Sequence, residues 1–241
     1  MRVKAVIAYD GSAFYGFQKQ TTTPLTVTQS IEKALKSLQI DTKIVGSGRT
    51  DRGVHATGQV IHFDLPPFWR DLRKLRSILN RRLTGISFRK LSSAPETFHA
   101  RFSAKKRLYR YIFKTGELSV FEEKYVASYP NHFDQKILQN ALRSFCGEHD
   151  FRYFHKTGSD IHTTIRTVYN ARYYSYGKYH IITFEANGFL RSQVRMMVEA
   201  SMQCALKTIS LKTLQAQLDC QEQSITKLAP AQGLYLAKIV Y

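Results

Sequence analysis

The sequence predicts an α+β protein of two ferredoxin-like, RRM-like halves whose antiparallel sheets meet around a central basic cleft. Three observations carry that expectation. The first ninety residues read as strand, helix, strand, strand, helix, strand; the second half repeats a similar order in elaborated form; and no Pro/Gly/Ser-rich linker separates them. The order is a split β-α-β arrangement, which places helices on one sheet face and leaves the other open. RNA-recognition modules use such an open face.

In the first half, Val3, Ala5, Ile7 and Tyr9 alternate, so residues 2–9 form a strand ended by Asp10-Gly11. Thr28 is expected to cap a helix with Ile31, Ala34, Leu35 and Leu38 on one face. Residues 43–45 form a short strand entering a glycine-rich loop. Residues 59–64, with Val60, Ile61 and Phe63, form a strand closed by Pro66-Pro67. A basic amphipathic helix over 69–83 turns Leu72, Leu75, Ile78 and Leu79 inward, and 86–91 returns as a strand.

In the second half, 107–114 is a strand and 135–145 a helix with Ile137, Leu138, Ala141 and Leu142 inward. Residues 146–165 read as polar and irregular. Residues 166–176 and 179–186 form a hairpin around Gly177-Lys178. Helices over 190–206 and 211–218 and a strand over 234–241 complete the chain. The boundary falls near 103–107, giving halves 1–104 and 105–241 that share an extended interface.

Thirty-six Lys and Arg against eighteen Asp and Glu give a formal net charge of +18. Such a surface attracts polyanions, nucleic acid first among them. With 43% hydrophobic and 12% aromatic residues the chain is globular rather than disordered. Three scattered cysteines argue for a reducing compartment and against a disulfide framework or a Cys-rich zinc site. The N-terminus is not a signal peptide and no apolar run reaches the roughly 20 residues of a membrane helix. The expectation is a soluble, cytoplasmic protein.

The most informative stretch is GSGRTDRGVHATGQVIHFD, residues 46–64, in which Gly46, Gly48, Gly53 and Gly58 surround Arg49, Asp51, Arg52 and His55. It matches neither the phosphate-binding G-x-x-x-x-G-K-[ST] loop nor a dinucleotide fingerprint, since a strand follows rather than a helix. Glycines let backbone approach a ligand closely. What remains is a carboxylate between cations, which favour its ionised form. Such an aspartate can attack an anomeric carbon or stabilise positive charge on it; equally, Asp51 can cap a turn and pair with Arg49. No second carboxylate lies nearby, which weighs against two-carboxylate glycoside hydrolysis.

GRTDRGVHATGQVIHFD resembles the signature loop of the tRNA pseudouridine synthase A family. The resemblance extends to YDGSAFYGFQ, FHARFSAKKRLYRYIF, GEHDF, NGFLRSQVRMMV and APAQGLYL. It implies an isomerase without cofactor that makes pseudouridine at positions 38, 39 and/or 40 of the tRNA anticodon stem-loop, as a homodimer. It further implies that Asp51 is the catalytic aspartate, Tyr109 the active-site tyrosine that stacks on the target base, and Arg195 the arginine that keeps Asp51 ionised and oriented. The aspartate would act at C1′, by direct attack or by a glycal route, and Arg49 or Arg52 would contact phosphate or fill the gap left by the extruded base. Phe17 stands where the family often has tryptophan, and Met196 and Met197 replace the usual residues after the helix arginine.

Other features stay open. Arg191 and Arg195, four apart, are expected to share a helix face, with Val194, Met197, Val198 and Ser201 on the buried side. Arg191 and His55 join Arg49, Arg52 and Tyr109 as substrate-binding candidates. His149, His155, His162 and Cys146 match no common zinc spacing; the mixed aromatic and basic stretch 151–166 is instead expected to contact RNA. Arg70, Arg73, Lys74, Arg76, Arg81 and Arg82 either track phosphate or form a solvated face. The rival functions are a non-catalytic RNA-binding module and a nucleoside hydrolase.

Overall fold

The structure, a computed structural model, describes residues 1–130, 132–158 and 162–241. The chain divides into two compact units, Met1–Lys105 with Leu236–Tyr241, and Lys106–Tyr235. Both are α+β, as the element order predicts.

Unit 1 contains β1 (Arg2–Tyr9), α1 (Val27–Lys36), β2 (Val45–Gly46), β3 (His55–Asp64), α2 (Leu72–Arg82) and β4 (Ile86–Ser93). β1 is central and antiparallel to both β3 and β4, while β2 pairs antiparallel with β3. This is the split β-α-β order. Val3, Ala5, Ile7 and Tyr9 are buried, as are Val27, Ile31 and Leu35 of α1 and Leu75 and Leu79 of α2. Asp71 caps α2 by accepting from the Arg73 and Lys74 amides at 2.9 Å.

Three details depart from the sequence reading. The cap of α1 is Thr26, whose extended backbone lets Oγ1 accept from the Gln29 amide at 3.3 Å. Thr28 lies inside the first turn and its hydroxyl donates to the Phe17 carbonyl at 2.7 Å. The strand expected at residue 59 begins at His55 and is buried on both faces: of β3 only Thr57 and Asp64 are exposed. The open sheet face is covered at one end by the segment after β4. Ala100 N–H donates to His62 Nδ1 at 3.1 Å, and Arg2 donates to the Phe98 carbonyl at 3.2 Å.

The last strand, β10 (Leu234–Val240), lies beside β3. Whereas the sequence reading ran the second half to residue 241, Leu236–Tyr241 group with unit 1. The Lys105 amide donates to the Val240 carbonyl at 2.8 Å and the Tyr241 hydroxyl to the Ala100 carbonyl at 2.8 Å. A Cβ on Gly58 would fall 2.2 Å from the Ala237 carbonyl oxygen, so only glycine lets these backbones meet.

Unit 2 contains β5 (Lys106–Thr115), β6 (Ala127–Tyr129), α3 (Gln135–Ser144), β7 (Gly147–Asp150), β8 (Ile165–Tyr176), β9 (Tyr179–Ala186), α4 (Gln193–Ala205) and α5 (Leu211–Leu218). Its sheet runs β5-β9-β8-β7, all antiparallel, with β6 added parallel to β5. The stretch read as polar and irregular holds β7 and two fully buried rings, Phe151 and Phe154, packed with Phe145; residues 159–161 of it lie outside the described residues. α4 starts at Gln193, three residues later than expected, and eleven of its thirteen residues are buried. A helix apolar on most sides belongs in a core rather than at a surface. No helix among the described residues is long and apolar enough to cross a membrane.

Burial, with Arg2 as second cause, holds the His62 imidazole below its ordinary pKa, and burial alone does so for His180. The unfolded chain therefore takes up protons that the folded chain resists. Stability is fully present above the ordinary histidine pKa, about 6.5, and declines as pH falls below it. Melting temperatures between pH 7.5 and 5 are expected to show this loss, with a smaller loss in His62→Asn, whose amide oxygen can still accept from Ala100.

Candidate active site

Asp51 sits in a loop that unit 1 fixes from several directions. On one side lies the segment after β1. Phe17 N–H donates to the Thr50 carbonyl at 3.1 Å, and the Tyr9 and Thr50 hydroxyls meet at 2.8 Å in the core. Gly16 has φ +108°, and a Cβ there would stand 3.0 Å from the Thr50 carbonyl oxygen. A Cβ on Gly11 would stand 2.1 Å from that of Val54. On the other side, buried Gln59 of β3 donates to the Gly48 carbonyl at 2.8 Å and accepts from the Ser47 hydroxyl at 3.0 Å. The Val54 amide closes the turn by donating to the Asp51 carbonyl at 3.1 Å. Asp51 itself is half-buried between exposed Arg49 and Arg52.

The glycines of the loop mostly serve the protein rather than a ligand. Gly58 admits Ala237, and a Cβ on Gly46 would strike the Phe17 ring at 2.4 Å. Arg52 lays its guanidinium over the Tyr15 ring at 4.2 Å, a cation–π contact that holds the charge beside the loop. His55 is 2% exposed. Its Nδ1 accepts from Gly11 N–H at 3.0 Å and lies 3.3 Å from Asp10 Oδ1. His55 thus braces the Gly11 turn from inside.

In unit 2, Tyr109 lies on β5 opposite Phe184 of β9. It is 7% exposed and meets Phe189 edge-to-face at 5.2 Å. Tyr109, Tyr111 and Phe113 share the buried face of β5, with exposed Arg110 on the other. Arg195 and Gln203 are the two residues of α4 that escape full burial. Arg195 Nε donates to the Ala229 carbonyl at 2.7 Å, and the Ala229 amide donates to the Arg195 carbonyl at 3.1 Å.

A buried polar network holds the strap 227–230 that carries Ala229. The Tyr111 hydroxyl donates to the Pro230 carbonyl at 3.1 Å. Glu199, one helical turn after Arg195, is 3% exposed and accepts from the Tyr129 hydroxyl at 3.1 Å and from Gln203 at 3.2 Å. Lys227 reaches it at 3.1 Å. Burial pushes the Tyr111 and Tyr129 hydroxyls far above the ordinary tyrosine pKa, and the Glu199 charge adds to both shifts. Both therefore remain neutral donors.

Arg191 departs from expectation. It precedes α4, separated from it by Ser192, whose φ of +60° breaks the helix. Its guanidinium donates to the Thr157 carbonyl at 3.3 Å and its own carbonyl accepts from Lys156 N–H at 3.1 Å. Arg191 thus holds the 155–158 loop and shares no helix face with Arg195. Among the described residues no cluster of three metal-ligating side chains occurs. The sequence reading missed Gln59, Glu199, Lys227 and Tyr129. A glutamate inside the otherwise apolar run VRMMVEASM was the one available signal, since a buried carboxylate needs partners.

Comparison with known proteins now bears on this geometry. A sequence profile of the family described as tRNA pseudouridine synthase matches residues 5–103 and 141–241. Asp51, His55, Arg191 and Arg195 fall inside these stretches and Tyr109 between them. The tRNA pseudouridine synthase A of Helicobacter hepaticus is 40% identical over 244 residues, covering 99% of this chain and 98% of its own. That of Wolinella succinogenes is 38% identical over 238 residues, covering 98% and 93%. A solved structure described as a Cbf5-Nop10-Gar1 complex aligns with 81% of this chain and 44% of its own, at TM-score 0.35 and 13% identity. The chain belongs to the tRNA pseudouridine synthase family, and is an isomerase acting on tRNA.

Two consequences of the geometry are measurable. Lys227→Met leaves the buried Glu199 carboxylate without its cation. Because Lys227 is itself largely solvated, the expected cost is about 1–2 kcal/mol, below the 3–5 of a fully buried pair. The same change made in Glu199→Gln should cost almost nothing, and urea titration of the four proteins closes that cycle. Gly16→Ala, strained in φ and crowded against Thr50, is expected to cost about 1–3 kcal/mol and to lower turnover by displacing the Asp51 loop.

Proposed function

We propose that this chain converts uridine to pseudouridine at positions 38, 39 and/or 40 of the tRNA anticodon stem-loop, working in the cytoplasm as a homodimer. Asp51 carries the reading: a half-buried carboxylate in a loop that the rest of unit 1 holds from several directions, in a chain of this family. The net charge of +18 supports a polyanionic substrate.

The chemistry is an internal rearrangement and balances without a redox partner. The N1–C1′ bond breaks, the uracil turns over, C5 bonds to C1′, the C5 proton leaves and N1 gains a proton. Asp51 acts at the ribose, either by bonding to C1′ and being displaced by C5, or by taking the C2′ proton as a glycal forms and returning it when C5 bonds to C1′. Tyr109 supplies a ring for the base and assists transfer of the C5 proton. Arg195 stabilises negative charge on the reacting groups. Extruding the uridine from its stack costs a few kcal/mol, which Arg49 and Arg52 offset by contacting phosphate or filling the vacated space. His55 and Arg191 contribute by position, through the Gly11 turn and the 155–158 loop.

Tritium release from tRNA carrying 5-³H-uridine tests the reading. Wild-type protein is expected to release tritium without forming free uracil, and Asp51→Asn to release none while still binding tRNA. Free uracil would indicate a hydrolase, and tight binding without release a non-catalytic RNA-binding module. Affinity for tRNA is also expected to fall steeply between 50 and 200 mM salt, as for any binder that neutralises several phosphates; a flat dependence would count against a basic substrate surface.

A further inference from the structure

A structured turn in unit 1 carries an exposed aromatic platform that the chemistry above does not use. It spans residues 99–103, just after β4. His99 Nδ1 accepts from both the Arg101 and Phe102 amides at 3.2 Å. Ser103 N–H donates to the His99 carbonyl at 2.9 Å, and the Ser103 hydroxyl accepts from His99 N–H at 3.1 Å. From below, Ala100 is pinned by His62 at 3.1 Å and by the Tyr241 hydroxyl at 2.8 Å. The turn is thus tied at seven of its own backbone groups. Yet Phe102 at its tip is 76% exposed. Its ring stacks on His99 at 4.3 Å with 26° between planes, and the Arg101 guanidinium lies 5.6 Å from its centre.

The backbone bonds fix where Phe102 leaves the turn, and the His99 ring stacks on its side chain. The ring is held out in water as one end of a two-ring stack. Along the chain the charge here is positive: Arg101 and Lys105 are exposed, and no acid occurs in sequence between Glu96 and Glu117. An aromatic face on a basic background is the arrangement that receives unstacked nucleobases, because every base has a π-face and every nucleotide a phosphate.

We infer that Phe102, backed by His99, is a stacking site for an unpaired nucleobase of the RNA substrate, with Arg101 and Lys105 contacting the adjoining phosphates. The site is separate from Asp51. His62, which supports the turn, lies seven residues along β3 from His55, roughly 23 Å at the usual strand rise. It would therefore receive a part of the RNA other than the reacting uridine. The inference rests on tRNA being the substrate but not on the roles of Asp51, Tyr109 or Arg195.

The test is equilibrium binding of tRNA to the full-length wild-type, Phe102→Ala, Phe102→Trp and Arg101→Gln/Lys105→Gln proteins across a range of salt. Phe102→Ala is expected to weaken binding by about 5- to 150-fold, the range for one stacked base, with an unchanged slope of log affinity against log salt. Phe102→Trp is expected to restore affinity. The double cation variant should instead flatten the slope, by about 0.7–0.9 per lost phosphate contact. Equal affinity of Phe102→Ala and wild type would overturn the inference, as would failure of tryptophan to restore it. A change in sedimentation of Phe102→Ala without a change in tRNA affinity would assign the ring to a protein contact instead. Absence of tRNA binding by the wild type would count against the substrate reading itself, a distinct result.

Discussion

The placement of Asp51 depends on the contact between the segment after β1 and the loop before β3. Five separate elements of that contact converge: the Phe17 amide on Thr50, the Tyr9–Thr50 hydroxyl pair, the close approach of Gly11 to Val54 and of Gly16 to Thr50, and the Gln59 carboxamide against Ser47 and Gly48. Each hydrogen bond contributes about 1 kcal/mol net, and together they leave the loop little room to move. A carboxylate that must reach one carbon of a sugar benefits from such rigidity, since misplacement of about 1 Å can cost a hundredfold in rate. The motif around Asp10 and the motif around Asp51 are two sides of one packed joint.

Unit 2 solves a different problem, that of holding an arginine on a helix that is otherwise almost wholly buried. α4 is apolar enough to form the core, so its polar members need partners close by. Glu199 finds Tyr129, Gln203 and Lys227, and the strap so fixed returns a carbonyl to Arg195. The tyrosines that serve this network stay protonated because burial raises their pKa values. An ionised tyrosine beside Glu199 would repel it and loosen the strap.

Much of the fold was legible because its periods are clean. β1 alternates, α2 and α3 carry apolar residues at helical spacing, and Gly177-Lys178 marks its hairpin. The failures share a cause, which is that local pattern does not report what covers an element from outside. The sheet to which β3 belongs reads as open on one face, yet His62 is buried beneath the segment that carries Ala100. The stretch 146–165 reads as polar because its charged residues outnumber Phe151 and Phe154, which nonetheless fill a core. Asp51, Tyr109 and Arg195 were singled out from motifs, and the structure adds what surrounds each. It also moves Arg191 off the helix and His55 into the interior. The positive φ of Ser192, which no propensity foretells for a serine, is what separated Arg191 from Arg195.

The return of Leu236–Tyr241 to the first unit has a consequence for how the protein is made. Unit 1 is assembled from the two extremes of the chain, so on a ribosome its sheet waits for a strand translated after all of unit 2. Until then the flank of β3 that will receive Ala237 stands as an unfilled strand edge, and such edges invite pairing with other chains. Closing it requires a contact between residues far apart in sequence, a slow kind of step in folding. The first unit is therefore the last to be finished, although it is the first to be translated.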